Sequence, residues 1–90
     1  LPSAPSVLNN LAMALVKRDE SDLDRALKLV DAALEQVPEH PYFHETRAQI
    51  LLKQTNYKDA IIHFERSLRA EAIRQQVHEG LSEAYAALGQ

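Results

Sequence analysis

The sequence predicts an all-α protein in which helical hairpins stack side by side as a solenoid. Alanine and leucine are plentiful, whereas glycine and proline number only 2 and 4, which favours helices over tight turns between strands. Apolar residues recur at helical spacing in five segments, and no segment shows the period of two that marks a strand. Similar groups of residues also recur about 34 positions apart, which indicates repeated hairpins rather than a closed bundle.

Composition and charge narrow the classes of function. The 90-residue chain is 46% hydrophobic and 26% charged, which is typical of one small globular domain. Its net charge is −3 and no stripe of basic residues is present, so we expect no nucleic-acid partner. No apolar run approaches the ~18 residues of a membrane span, so we expect no membrane insertion. The absence of cysteine excludes disulfides and is compatible with the reducing cytoplasm without requiring it.

The first helix follows a short linker. Residues 1–6 are rich in proline and serine, which are placed to start a helix, and the chain begins with leucine, so we expect a piece of a longer protein. One helical face then carries Val7, Leu8, Leu11, Ala12 and Leu15. The polar stretch 17–22 ends this helix, and Ser21 or Asp22 is placed to cap the second one.

The second helix has the longest apolar stripe and ends at a pair of prolines. Its apolar residues are Leu23, Ala26, Leu27, Val30, Ala33, Leu34 and Val37. Proline disfavours helix in the residue before it but suits a first turn, so the third helix is expected from about Pro41 to Lys53.

Asn56 is placed to cap the fourth helix, and the fifth is expected to stop at Gly89. The fourth helix carries Tyr57, Ala60, Ile61, Phe64 and Leu68, and the fifth carries Val77, Leu81, Ala84, Tyr85 and Leu88. Two interpretations of the segment between them remain, because residues 68–76 contain neither glycine nor proline. One is a turn near residues 71–74, and the other is a continuous helix over about 57–88 that exposes its end for exchange with another chain.

The 34-residue period is the strongest signal in the sequence. Ala26 and Ala60 are 34 residues apart, and each is followed by an aliphatic residue. The same spacing separates Ala48 from Ser82, Leu51 from Tyr85, and Thr55 from Gly89. A helix–turn–helix unit of this length is expected to pack against its neighbours through small residues, which let helix backbones approach closely. The small residues are Ala12, Ala26, Ala33, Ala48, Ala60 and Ser82.

These residues resemble the tetratricopeptide repeat (TPR) family, whose pattern is a large residue, Leu-Gly, Tyr, Ala, an aromatic residue, Ala and Pro. The first repeat has Leu8, Leu11-Ala12, Leu15, Ala26, Val30, Ala33 and Pro38 at these positions, with two extra residues near Asp19. The second has His44, Arg47-Ala48, Leu51, Ala60, Phe64, Ser67 and Ala72, and a half repeat has His78, Leu81-Ser82, Tyr85 and Gly89. Arg47 and Ala72 depart from the pattern.

The resemblance implies a right-handed α-solenoid of five helices, or about two and a half repeats. Its expected divisions are a linker over residues 1–6, repeats over 7–40 and 41–74, and a half repeat over 75–90.

The resemblance also implies a non-catalytic scaffold that binds a peptide or protein in a concave groove lined by the first helix of each repeat. The corresponding residues are Asn9, Met13, Val16, Lys17, Tyr42, Glu45, Gln49, Leu52, Lys53, Gln76, Glu79 and Glu83. Such a mixed surface suits a neutral or mildly basic segment that docks through apolar anchors. Some members clamp two carboxylates with Lys, Asn and Arg side chains, but this chain has Asn9, Met13, Thr46, Gln76 and Gly80 at those places.

An alternative function is self-association, or a spacer role within a larger protein. The half repeat has no second helix to cover it, so its apolar side chains are expected to pair with another copy of the chain. These residues are Val77, Leu81, Tyr85 and Leu88.

Catalysis, cofactors and metal ions are not expected. No acidic pair or nucleophile is marked by its context, and two glycines cannot form a loop that cradles phosphate. His40 and His44 are four residues apart, but His40 precedes a proline at a helix entrance, so the two need not share a face. His63 is expected to be a solvated residue on the face of its helix.

Overall fold

The computed structural model describes residues 4–18 and 22–90, which form five α-helices. The helices are α1 (Pro5–Arg18), α2 (Leu23–Gln36), α3 (Pro41–Lys53), α4 (Tyr57–Ser67) and α5 (Arg74–Ala87), and a 3-10 turn over Glu71–Ile73 leads into α5. These described ranges contain no strand, so the all-α prediction is confirmed. The predicted insertion near Asp19 and the possible cap at Ser21 lie outside the described residues.

Prolines begin two of the helices. Pro5 is the first residue of α1, so the prediction that Pro5 and Ser6 belong to a linker is wrong. The reason is that a proline in the first turn loses no hydrogen bond, since the first amide groups of a helix have no partner within it. Pro41 begins α3, where His40 Nδ1 accepts a hydrogen bond of 3.2 Å from the Tyr42 amide.

Asp22 and Asn56 occupy N-cap positions, but neither side chain caps its helix. Asp22 instead pairs with Arg18 at 3.4 Å, and Asn56 Nδ2 donates to Asp59 at 3.1 Å. The prediction of a side-chain cap at Asn56 is therefore wrong, and of the two alternatives for α2 the one at Asp22 is not formed, because each side chain contacts another side chain instead.

Two helix ends repeat the same hydrogen-bonded turn 34 residues apart. After α3, the amide of Asn56 donates to the Leu51 carbonyl at 2.9 Å while Thr55 adopts a φ of 61°. After α5, the amide of Gln90 donates to the Tyr85 carbonyl at 2.9 Å while Gly89 adopts a φ of 82°. Both ends have the hydrogen-bond pattern of a Schellman motif. The C-terminal ends of α3 and α5 are therefore equivalent in structure as well as in sequence position.

A turn separates α4 from α5, so the continuous helix considered for residues 57–88 is not formed. Ala70 is extended, with a φ of −89° and a ψ of 102°, which breaks the helical path. Arg74 Nε donates to the freed Leu68 carbonyl at 2.8 Å. A side-chain hydrogen bond within the segment therefore stabilises this turn, although the segment contains no residue type that interrupts a helix. Because α5 begins at Arg74, the predicted repeat boundary after residue 74 falls one residue inside this helix.

Small residues lie at the contacts between helices. The five helices together form a slab of 41 × 29 × 18 Å. The helices α1, α2 and α3 share one buried apolar cluster, and α3, α4 and α5 share a second. Five of the six predicted small residues have no exposed surface: Ala12, Ala26, Ala33, Ala48 and Ala60. The sixth, Ser82, is exposed, because no described helix packs over that face of α5. The prediction that small residues bring the helices together is thus wrong only at Ser82.

Candidate partner-binding cleft

A cleft of about 270 Å³ lies between α1 and α3 and reaches the start of α5. It is lined by Met13, Val16, Lys17, Glu45, Thr46, Gln49, Lys53 and Gln76. All of these residues belong to the first helices of the hairpins, which lie side by side because the second helices occupy the other layer of the slab. The cleft is therefore a product of the repeat rather than of any single helix.

Seven of the twelve predicted groove residues line this cleft, and the other five do not. Asn9 and Leu52 are buried, with 6% and 8% of their surface exposed. Tyr42 is 44% exposed, and its ring lies 5.6 Å from the ring of His40. Glu79 and Glu83 line a separate open surface on α5. Thr46 lines the cleft although the groove prediction omitted it, and its hydroxyl donates to the Tyr42 carbonyl at 3.1 Å.

Glu45 places a buried carboxylate in the cleft. Only 6% of this residue is exposed, and Gln49 Nε2 donates a hydrogen bond of 3.0 Å to its Oε2. Burial raises the pKa of the Glu45 carboxyl, and the hydrogen bond from Gln49 and the positive charge of Lys17 oppose that rise. The cleft thus combines the apolar side chains of Met13 and Val16 with one desolvated acidic group.

Asn9 is a second buried polar residue close to the cleft. Its Nδ2 contacts the Met13 sulfur at 3.8 Å, and its Oδ1 is buried without a hydrogen-bond partner. A buried acceptor without a donor is destabilising, typically by about 1–3 kcal/mol. Asn9 and Glu45 occupy equivalent positions in the first two repeats. Each of these two repeats therefore buries a polar side chain at the same position of its first helix.

A second polar cluster joins α2, α3 and α4 on another part of the surface. His44 Nε2 lies 2.7 Å from the Pro38 carbonyl, and His44 Nδ1 lies 2.9 Å from His63 Nδ1. Arg47 lies 3.3 Å from His63 Nε2 and 2.6 Å from Asp31.

The contacts of this cluster define one arrangement of protons. Since a carbonyl only accepts, His44 must carry its proton on Nε2, which leaves Nδ1 as an acceptor. His63 then donates from Nδ1 and accepts from Arg47 at Nε2. All three contacts are satisfied when both histidines are neutral, and protonation of either ring would remove an acceptor.

This cluster corrects one prediction and explains one departure from the repeat pattern. The prediction of a solvated His63 is wrong, because its ring is partly buried and stacks on His44 with a centroid distance of 5.1 Å. Arg47 stands where the family pattern has an apolar residue because it pairs with Asp31 of the preceding hairpin. Polar residues at Asp31, Arg47 and His63 in the sequence were the available signal, but only the packing of three helices brings them together.

We expect the protein to lose stability as the pH falls from about 6.5 towards 4. Burial, and then the charge of Arg47, lower the pKa of His63 to about 4, and burial lowers the pKa of His44. At these two histidines the unfolded chain binds more protons in this range, so their protonation favours unfolding, and the raised pKa of Glu45 opposes only part of this loss. Allowing for solvent screening at the partly exposed ring of His63, we expect a loss of about 1–2 kcal/mol.

Urea unfolding followed by circular dichroism at about pH 7.5 and about pH 5 measures this loss. We expect His63→Gln to reduce the difference between the two pH values. The matched control is His78→Gln, since His78 is the exposed repeat equivalent of His44. An equal pH dependence in the wild type and in His63→Gln would contradict the role of His63.

The residues predicted to mediate self-association are mostly covered. Val77 is fully buried, so it cannot belong to an exposed face. Leu81, Tyr85 and Leu88 are half-buried and pack against the second apolar cluster. The exposed side of α5 is mainly polar, with Gln75, His78, Glu79, Ser82, Glu83 and Ala86 around one open surface. Self-association through Leu81, Tyr85 and Leu88 stays a prediction.

The described part of the chain has neither a group of residues suited to a metal ion nor a helix suited to a membrane span. Within residues 4–18 and 22–90, no three His, Asp or Glu side chains are grouped so that they could hold a metal ion. None of the described helices is both long and apolar enough to cross a membrane.

The fold defines a protein of repeated helical hairpins, and comparison with protein families identifies the repeat. The family model described as tetratricopeptide repeat matches residues 11–75 and again residues 46–90. The chain therefore belongs to the tetratricopeptide repeat family. A search of curated proteins finds no match. Repeats of this family are generally scaffolds for protein interactions and are typically not catalytic.

Proposed function

We propose that this chain binds a peptide segment of a partner protein in the cleft between α1 and α3. The observation that carries the proposal is the convergence of Met13 and Val16 from α1 with Glu45 and Gln49 from α3 on one open cleft. Apolar side chains can bury part of a ligand there, and nearby polar groups can fix its orientation. The same cleft continues to Gln76 at the start of α5, so it crosses all three hairpin units.

The shape and polarity of the cleft favour a short segment with apolar anchors. Its volume of about 270 Å³ accommodates a few side chains rather than a folded domain. The groups that line it carry both signs of charge, since Glu45 is buried there and the exposed residues Lys17 and Lys53 also line it. These features support a neutral or mildly basic segment, either helical or extended.

We expect the triple variant Met13→Ala, Val16→Ala, Gln49→Ala to weaken peptide binding by about tenfold or more, since a few central residues supply most of an interface's free energy. Peptides are first selected against the wild-type protein from a display library of random segments about twelve residues long. Isothermal titration calorimetry then compares their dissociation constants for the two proteins. Circular dichroism checks that the triple variant keeps its helices.

The matched control replaces exposed apolar residues outside the cleft, as in the double variant Leu11→Ala, Ile62→Ala. Leu11 and Ile62 are 50% and 45% exposed and line no part of the cleft. We expect this control to bind the selected peptides as the wild type does. Equal affinity for the triple variant, or selection of no peptide at all, would refute the proposed function.

A further inference from the structure

We propose that Glu45 recognises a cationic side chain, an arginine or a lysine, of the segment that binds in the cleft. This inference rests on the proposed function and adds the chemistry of one ligand residue. It follows from the position of a buried carboxylate beside apolar side chains in an open cleft. A long basic side chain has matching parts, because its methylene stem can pack on apolar surface while its charged end meets an acid.

The hydrogen bonding of Glu45 leaves room for a further donor. Gln49 supplies one neutral donor to Oε2, whereas an ionised carboxylate has about four acceptor positions. A guanidinium group offers two parallel N–H donors that match the two oxygens of a carboxylate. An ammonium group would reach the same oxygens as a point charge.

Burial makes Glu45 a better cation site than a surface carboxylate. Folding has already removed most water from this group, so an incoming cation encounters a carboxylate whose dehydration cost was incurred in the free protein. At an exposed acid such as Glu79, water competes for the same interaction and salt screens it. The raised pKa of the Glu45 carboxyl has the same cause, because burial removes the water that would stabilise its charge.

The other charges around the cleft distinguish a basic ligand from an acidic one. Lys17 lines the cleft, but it is exposed and lies in the last turn of α1, so its long side chain can turn towards solvent. Glu45 is 6% exposed and its Oε2 accepts a hydrogen bond from Gln49, so its charge stays within the cleft. An acidic ligand group would be repelled by this fixed charge, whereas a basic one would displace only the weak attraction of Lys17.

The test uses n-butylguanidinium as a probe of the arginine side chain and n-butylurea as a neutral control of the same shape. Titration of the ¹⁵N-labelled protein, followed by amide chemical shifts at constant ionic strength, gives both dissociation constants. We expect saturable shifts at Met13, Val16 and Gln49, with the cation binding at least about fivefold tighter than the urea. Carboxyl ¹³C shifts should show that the pKa of Glu45 falls when the cation saturates the site.

Glu45→Gln keeps the size of the side chain and removes its charge, so it should abolish the preference for the cation. Glu79→Gln, which removes an exposed carboxylate from α5, should keep that preference. Equal binding of the two probes to the wild type, or a preference that persists in Glu45→Gln, would overturn the assignment of Glu45. Tighter binding of n-butyrate than of n-butylguanidinium would overturn it in favour of an acidic ligand.

Failure of this inference and failure of the proposed function give different results. If selected peptides bind the cleft but are not enriched in arginine or lysine, the cleft keeps its function and the role of Glu45 is wrong. If no peptide binds and the probe still distinguishes the wild type from Glu45→Gln, the cation site stands and the peptide-binding function is wrong.

Discussion

Phe64→Ala is expected to lower the free energy of unfolding by about 3–5 kcal/mol, the largest effect of any substitution considered for this protein. Phe64 is fully buried in the second apolar cluster and is the largest side chain with no exposed surface. Removing its ring leaves a cavity between α4 and α5. A chain of this length is stabilised by only about 5–13 kcal/mol, so the variant loses a large share of its stability.

Urea unfolding followed by circular dichroism at 222 nm measures the effect of Phe64→Ala. Ile62→Ala, which truncates a 45% exposed residue of the same helix, is the matched control and should cost under about 1 kcal/mol. Similar losses in the two variants would show that burial at Phe64 does not dominate the contact between α4 and α5.

The repeat could be predicted because it depends on local patterns that the sequence displays directly. The 34-residue spacing of Ala26 and Ala60 marks two second helices, and both alanines are fully buried in the structure. The spacing of Thr55 and Gly89 similarly marks two equivalent helix ends. Such positions are determined by their own hairpin and its immediate neighbour, so each repeat supports the interpretation of the next.

Features that depend on contacts between residues far apart in the sequence could not be predicted in this way. The turn over residues 68–73 contains no residue type that interrupts a helix, and its contacts include Arg69 with the Glu39 carbonyl, 30 residues away. The bond between Arg47 and Asp31 likewise joins two hairpins. Sequence spacing gives the helices, but it does not give the distances between side chains on different helices.

The candidate cleft was only partly predictable because equivalent positions have different neighbours. Asn9, Glu45 and Glu79 occupy one position in successive repeats, yet the first two are 6% exposed and the third is exposed. Glu79 lies on α5, the last described helix, so no described first helix follows that could cover it. The resemblance identifies which helix face can form a groove, and the packing of each hairpin decides which of its side chains a ligand can reach.

Gly80→Ala is expected to destabilise the protein by about 2–3 kcal/mol, although the same change in an open helix usually stabilises by about 1 kcal/mol. Gly80 lies within α5 and is buried against Phe64. A Cβ atom at this position would lie 2.6 and 2.7 Å from Phe64 Cε1 and Cε2, and closer still to Cζ. Because the ring is itself fully buried, it cannot move aside without disturbing the cluster.

A double-mutant cycle between Gly80→Ala and Phe64→Leu tests this close contact by urea unfolding. Leucine lacks the three ring atoms nearest to the new methyl group, so Gly80→Ala should cost at least about 1 kcal/mol less when leucine replaces Phe64. Ser82→Ala, at an exposed position of α5, is the control for helix propensity and should leave stability unchanged or slightly raised. Additive losses in the cycle would contradict the contact. A coupled result would show that glycine at position 80 lets α5 approach α4, as alanine does between the other helices.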